Sequence, residues 1–332
     1  MRFEPTETQA MLAHSASRLA KAAQHGDALD HAIHDAGFRA VTVSEKHSGF
    51  GGDMADASVI LEEFGRGDVC ETTVLNAVIC APLLEAAGRA DLLDGIIAGT
   101  RHVAFALYEP GHGYQTTPEA VRAEGTTLSG SKCAVIGGDD ASDFIVTACD
   151  EIGAPALFLL SATAPGLTRH SYAMTDARGA ADIRFETAVA ERLDLDAAAQ
   201  IRDAADRGAL AVASEAQGIM TAALDITIEH LKTRHQFGKP LSKFQVLQAR
   251  CADMAIALEQ ARSGLMAALD APDPASVSAA KVLSDKAALI VGEGAVQLHG
   301  AIGITEEHRI GLLFRRLTAG RSMFGDSRYH LT

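Results

Sequence analysis

The sequence predicts an α+β chain, mainly α, whose order along the chain is helical, then β, then helical. Apolar residues recur at helical spacing through the first hundred or so residues and again from Asp194 onward. Between those stretches, short apolar runs alternate with Gly, Pro and Asp turns at the spacing of an all-β segment. The composition is visibly rich in Ala, with 5% aromatic residues and no Trp, which favours packed helices over a sandwich or barrel. The expected divisions are 1–101, 102–193 and 194–332.

In the first segment, Glu7, Met11, Leu12, Ser15 and Leu19 share a helical period, as do Leu29, Ile33 and Ala36. Gly37 stands where the second pattern breaks, the usual place for a C-terminal glycine. Val59–Phe64 and Val74–Leu84 continue the style. The run Ser48-Gly-Phe-Gly-Gly-Asp53 lacks the Lys-Ser/Thr of a phosphate-binding loop and follows no clear strand, so a tight turn is expected. In the middle segment the strand signals are Val103–Leu107, Thr127–Ser129, Phe144–Ala148, Ala156–Leu160 and Ala181–Phe185. In the last, apolar stripes run through 209–231, 244–269 and 277–298, broken by Asp270-Ala-Pro-Asp-Pro274. Long helices with short connections pack as an antiparallel bundle.

Among the 332 residues, 29 Lys+Arg stand against 43 Asp+Glu, a formal net charge of −14. A nucleic-acid partner is not expected, since no basic surplus exists to neutralise phosphates. The start MRFEPTETQAML has no secretory pattern, and no run approaches the roughly 18 apolar residues of a membrane span. Five cysteines are scattered without metal spacing, so no metal site is expected and a reducing, cytoplasmic location is.

Four clusters look chemical. They are Ala106-Leu-Tyr-Glu-Pro-Gly-His-Gly113 after a strand, Arg234-His-Gln-Phe-Gly-Lys-Pro240 between two helices, Gln297-Leu-His-Gly-Ala-Ile-Gly303 after a helix, and the C-terminal run Phe314-Arg-Arg-Leu-Thr-Ala-Gly-Arg-Ser-Met-Phe-Gly-Asp326; Tyr108-Glu-Pro-Gly-His-Gly-Tyr-Gln115, Gly130-Ser-Lys-Cys-Ala-Val-Ile-Gly-Gly138, Gln245 and Ala252-Asp-Met254 join them in the resemblance. A guanidinium beside an amide and an aromatic ring suits a diphosphate-bearing, ring-containing ligand. Together and in this order, the clusters resemble the acyl-CoA dehydrogenase family. The 234–254 match is the most specific, and the resemblance spans nearly the whole chain.

The resemblance implies an N-terminal helical domain, a middle β-domain and a C-terminal four-helix bundle. It implies oxidation of an acyl-CoA thioester to the trans-2-enoyl form, with a carboxylate taking the α-proton while hydride leaves for FAD. FAD in the family lies across a dimer interface, so its two half-sites can be scored separately. Arg234, Gln236, Phe237, Gln297 and Gly300 match the pyrophosphate and adenosine contacts, with Ala301 in place of a second Gly. The flavin-ring half departs from the pattern. Tyr108 replaces a Thr, Ala134 replaces a Trp, and Ile136 replaces the Thr whose hydroxyl reaches N5. The usual base position, a C-terminal Glu, falls on Phe324, and the other family position falls on Gly208. Asp326, two residues beyond Phe324, is the fallback base, and Glu215 is a weaker one.

Losses concentrated in one half-site predict a subunit of a heteromeric enzyme that donates the Arg234/Gln297 arm to FAD on a paralogous catalytic partner. The run ending at Phe324-Gly-Asp326 with a late His330 resembles small subunits of such two-component bacterial enzymes. Acyl-CoA is then the substrate, and an electron-transfer flavoprotein the acceptor. The rivals are a self-sufficient homotetramer with Asp326 as base and a flavin-free structural subunit.

Overall fold

The first three helices each have a local reason to begin or end. In the computed structural model, which describes residues 4–22, 27–305 and 308–332, helix α1 spans Glu7–Ala22. A reciprocal cap opens it: Gln9 N–H donates to Thr6 Oγ1 at 3.2 Å, and Thr6 N–H to Gln9 Oε1 at 3.0 Å. Helix α2, Asp27–Asp35, ends at Gly37, which takes the left-handed conformation at φ 68°. The glycine run does form a tight loop. The N–H groups of Gly49, Gly51 and Gly52 bond Ser44 O, Val43 O and Val41 O at 3.1, 2.8 and 2.9 Å, so they are spent within the loop. Asp53 then caps α3, Met54–Arg66, accepting from Ala55 and Asp56 N–H at 2.8 and 3.0 Å. Helices α4, Thr73–Ala86, and α5, Ala90–Ile97, follow.

The middle of the chain forms one eight-stranded sheet. Its strands are β1 (Val103–Ala106), β2 (Arg122–Glu124), β3 (Thr127–Ile136), β4 (Asp143–Cys149), β5 (Pro155–Ser161), β6 (Leu167–Ala173), β7 (Gly179–Val189) and β8 (Glu191–Leu193). The order is β6-β7-β3-β2-β4-β5-β8, with β1 paired to β4 in parallel. Its core is built from Val121, Leu128, Phe144, Phe158, Ile183 and Phe185. Strand β6 gives no sequence signal because most of it is exposed and neither face is apolar.

Helix α6, Ala197–Thr233, leads to a hairpin of β9 (His235–Gln236) and β10 (Lys239–Pro240). Both turn residues, Phe237 and Gly238, have positive φ (54° and 77°), the signature of a type I′ turn. Helices α7 (Gln245–Asp270), α8 (Pro274–His299), α9 (Arg309–Gly320) and α10 (Ser327–His330) complete the chain. Helix α8 opens with a capping box at Asp273, with Pro274 in the first turn. By length and hydropathy, Pro274–Ile304 passes for a membrane span, which reading for unbroken apolar runs passes over. Its buried residues, among them Ala287, Ala288, Val291 and Ala295, pack in the bundle with Met220, Met254, Leu258 and Leu313.

Two compact units result, and they do not follow chain order. One holds residues 1–22, 58–70 and 209–332, and the other holds 23–57 and 71–208. Helices α1 and α3 thus join the bundle helices. In that unit α3 and α6 cross at two glycines: a Cβ on Gly65 would overlap Glu215 O, and one on Gly218 would overlap Glu62 O. The other unit is the sheet with α2, α4 and α5.

Candidate functional site

The motif residues of the bundle unit gather at one end of it. Arg234, Gln236 and Phe237 are exposed on the hairpin that follows α6, with Phe237 87% exposed. Backbone bonds fix this hairpin at its root: Arg234 N–H donates to His230 O at 2.8 Å, and Leu241 N–H to Arg234 O at 2.9 Å. Phe237 meets Phe244 edge to face at 6.1 Å, and Lys239 Nζ lies 4.3 Å over the Phe244 ring. Gln297 and Gly300 are exposed at the C-terminal end of α8. Gly300 caps that helix at φ 67°, with open space where a Cβ would stand. The two segments are tied together through histidines that sequence reading did not single out. His230 of α6 stacks on His299 of α8 at 4.3 Å, and His299 meets His308 at 4.9 Å. Only spacing on two separate helices placed them together, and no local motif signals it.

A guanidinium, two primary amides, an exposed phenyl ring and an unobstructed glycine are the chemistry that holds a dinucleotide's phosphates and adenine. The arm therefore fits one half of FAD.

The residues matching the flavin-ring half do other work. Glu109 lies buried in the sheet unit and accepts from Glu119, Ala120 and Val121 N–H at 2.9, 2.6 and 3.0 Å. Burial pushes its carboxyl up, but these donors and Lys132 outweigh that and hold it below the usual range. Lys132, fully buried, donates to Leu107 O, Glu109 Oε1 and Thr147 Oγ1 at 2.9, 3.0 and 2.7 Å. Desolvation brings its pKa down to about 8 against the pull of Glu109. The Glu-Pro and Gly-x-Lys motifs thus meet each other as an internal clamp. At Ala134 a bulge shifts the β3–β7 register, and the residue takes φ 51° with its N–H donating to Asp182 Oδ1 at 3.0 Å. Ile136 is buried and offers no side-chain donor, and its carbonyl accepts from Asn76 Nδ2 at 3.0 Å. The Ala134 and Ile136 side chains thus offer the flavin ring neither an aromatic cover nor a hydroxyl donor.

The base positions are likewise occupied. Phe324 is buried at φ 52°, with its carbonyl accepting from His330 Nε2 at 2.9 Å. Asp326 caps α10, its Oδ1 accepting from Tyr329 N–H at 2.9 Å. The other His330 nitrogen meets Ser278 Oγ at 3.2 Å, and Ser327 Oγ donates to Asp285 Oδ2 at 3.2 Å, so the turn is stapled to α8. Glu215 is buried and bonds Arg316 Nη2, which also donates to Val69 O at 2.8 Å. Gly208 contributes no side chain.

Comparison with known proteins decides the lineage. The description "Acyl-CoA dehydrogenase, N-terminal domain" matches residues 6–97, and "Acyl-CoA dehydrogenase, C-terminal domain" matches 198–332, together more than half of the chain.

The chain belongs to the acyl-CoA dehydrogenase family.

Acyl-CoA dehydrogenase IpdE2 of Mycolicibacterium smegmatis is 27% identical over 295 residues, covering 89% of this chain and 82% of that one. The short-chain specific mitochondrial acyl-CoA dehydrogenase of Bos taurus is 29% identical over 303 residues, covering 82% and 72%. Among solved structures, the "Tcur3481-Tcur3483 steroid ACAD G363A variant" superposes with a TM-score of 0.87 at 27% identity, over 98% of this chain and 96% of that one. The family accounts for the helical, β, helical order. Its enzymes are FAD-dependent oxidoreductases acting on acyl-CoA, and FAD supplies the hydride acceptor.

Proposed function

We propose that this chain is a subunit of an FAD-dependent acyl-CoA dehydrogenase assembly that introduces a 2,3 double bond into an acyl-CoA thioester. It lends Arg234, Gln236, Phe237, Gln297 and Gly300 to FAD held on a paralogous catalytic partner. The partner supplies the flavin-ring contacts and the base, and an electron-transfer flavoprotein takes the electrons. The functional divisions are 1–101, 102–193 and 194–332, and the location is the cytoplasm.

One observation carries the reading: the two half-sites differ in kind. Arm side chains stand exposed with unspent polar groups, while Ile136, Phe324 and Glu215 are buried in protein and Asp326 is used as a cap. Drift in a working enzyme would not sort losses by half-site. An acceptor pocket without a base cannot remove an α-proton that is far too weakly acidic to leave unaided.

The test is expression of the chain alone and with an adjacent acyl-CoA dehydrogenase-like chain. Flavin retention and ferricenium reduction by acyl-CoA are expected only with the partner. Arg234→Ala in the complex is expected to lower flavin retention. A tetramer of this chain alone that holds about one FAD per subunit and turns over overturns the proposal.

A further inference from the structure

The arm is made of two pieces from distant parts of the sequence, the hairpin after α6 and the turn after α8. Three histidines stand between them. His230 occupies the last turn of α6, and its carbonyl receives the Arg234 N–H. His299 is the last residue of α8, between Gln297 and Gly300. Its ring is buried, and Nδ1 lies 2.8 Å from Ala295 O. A carbonyl only accepts, so Nδ1 carries the proton, and the buried Nε2 has no hydrogen-bond partner. His308 caps α9, its Nδ1 accepting from Ile310 N–H at 3.2 Å. That bond requires an unprotonated Nδ1.

The rings form a continuous pile. His230 and His299 are near parallel, at 4.3 Å and 30°, and His308 tilts onto His299 at 4.9 Å and 54°. Such a pile tolerates neutral imidazoles and resists charged ones. Burial lowers the pKa of His230, helped by His308 and Arg234. Burial also lowers that of His299, with His230 and His308 adding to it against the Ala295 bond. Near the pile, Lys232 pairs with Glu229 on α6 and Arg309 of α9 pairs with Asp68, while on α8 Lys286 and Glu293 are exposed. Arg234, a cation, is the charge acting on the pile from the hairpin.

We propose that the His230–His299–His308 pile is a joint holding the two pieces of the nucleotide-binding arm in register, and that it works only while His230 and His299 are neutral. His230 and His299 are positioning residues, since they act on the nucleotide through Arg234, Gln297 and Gly300. The inference rests on the arm reading above. Both folded pKa values lie below the unfolded value, so the neutral arrangement is favoured at pH 7. As pH falls below about 6.5, protonation increasingly opposes it. A proton on His299 Nε2 has no acceptor waiting, and a charge on His230 is opposed by Arg234. Acid should therefore part the α6 and α8 ends and release the nucleotide.

The experiment measures FAD affinity of the co-expressed complex by flavin fluorescence between pH 7.5 and 5.5. Wild type should weaken about tenfold across this range, within the usual size of site-to-site coupling. His230→Phe keeps a stacking ring and removes titration. It should bind as wild type at pH 7.5 and show a markedly flatter profile. His230→Ala should bind more weakly at pH 7.5. If His230→Phe keeps the wild-type acid slope, or His230→Ala matches wild type throughout, the joint is refuted. Where a His230 variant fails to assemble, His299→Phe serves with the same outcomes. Arg234→Ala separates the two claims: weaker binding at every pH supports the arm, and unchanged binding refutes the arm and the joint with it.

Discussion

Replacing Glu215 by Gln tests whether this carboxylate is half of a buried ion pair or a proton acceptor. Its partner Arg316 is 1% exposed and comes from α9, with Nη2 shared between Glu215 Oε1 and Val69 O. Arg316 Nε and Nη1 are also buried, without hydrogen-bond partners. Glu215 is therefore bonded to a guanidinium that water does not reach. Glu215→Gln keeps the shape and one acceptor oxygen but removes the charge. Breaking a buried pair from one side costs about 3–5 kcal/mol, and the retained oxygen places this change near 3 kcal/mol. For a chain of this size that lowers the melting temperature by about 4 °C. The assay is thermal unfolding of the purified complex, with turnover measured on the same sample below its transition. The double variant Glu215→Leu/Arg316→Met should recover most of the loss, because a buried pair replaced on both sides by apolar groups is near neutral. A melting shift under about 2 °C together with lost turnover would refute this account and restore Glu215 as a base.

Gly218→Ala should destabilise strongly, by roughly 2 kcal/mol or more, because its Cβ meets the Glu62 backbone where α3 and α6 cross; chemical denaturation reads it. Asp326→Asn should change stability by under about 1 kcal/mol, since Asn caps nearly as well, and should leave turnover of the complex near wild type. Loss of turnover there would support the homotetramer with Asp326 as base. Lys132 sets a pH dependence. Its folded pKa of about 8 lies below the unfolded value, so between about pH 8 and 10.5 the unfolded chain holds the extra proton and stability gains with rising pH. Comparing unfolding midpoints at pH 7.5 and 9.5, Lys132→Met should remove that gain.

Much of the fold was legible because the local rules hold here. The helical stripes at 209–231, 244–269 and 277–298 fall on α6, α7 and α8, and Gly37 does stop α2. The strand signals fall on β1, β3, β4, β5 and β7, where at least one face is buried. Strand β6 was illegible because it is an edge strand without an apolar face, and β2 and β8 are three residues each. The loop at 48–53 was read as a turn from what it lacks, and its N–H groups prove to be used internally.

The sequence by itself determined the lineage, the element order and the substitutions at the flavin-ring and base positions, because side-chain identity settles whether a donor or a carboxylate can exist there. Ile136 cannot donate and Phe324 cannot take a proton in any fold. What remained to tertiary structure was how the residues that are present are used. Glu109 and Lys132 are far apart in sequence, and only the sheet makes them a buried clamp. Glu215 and Arg316, 101 residues apart, become a pair only when α9 packs on α6. The same holds for His230 and His299, whose stacking joins two motifs into one arm. A polar side chain's role depends on whether its neighbours leave it exposed or consume its hydrogen bonds, and those neighbours come from elsewhere in the chain.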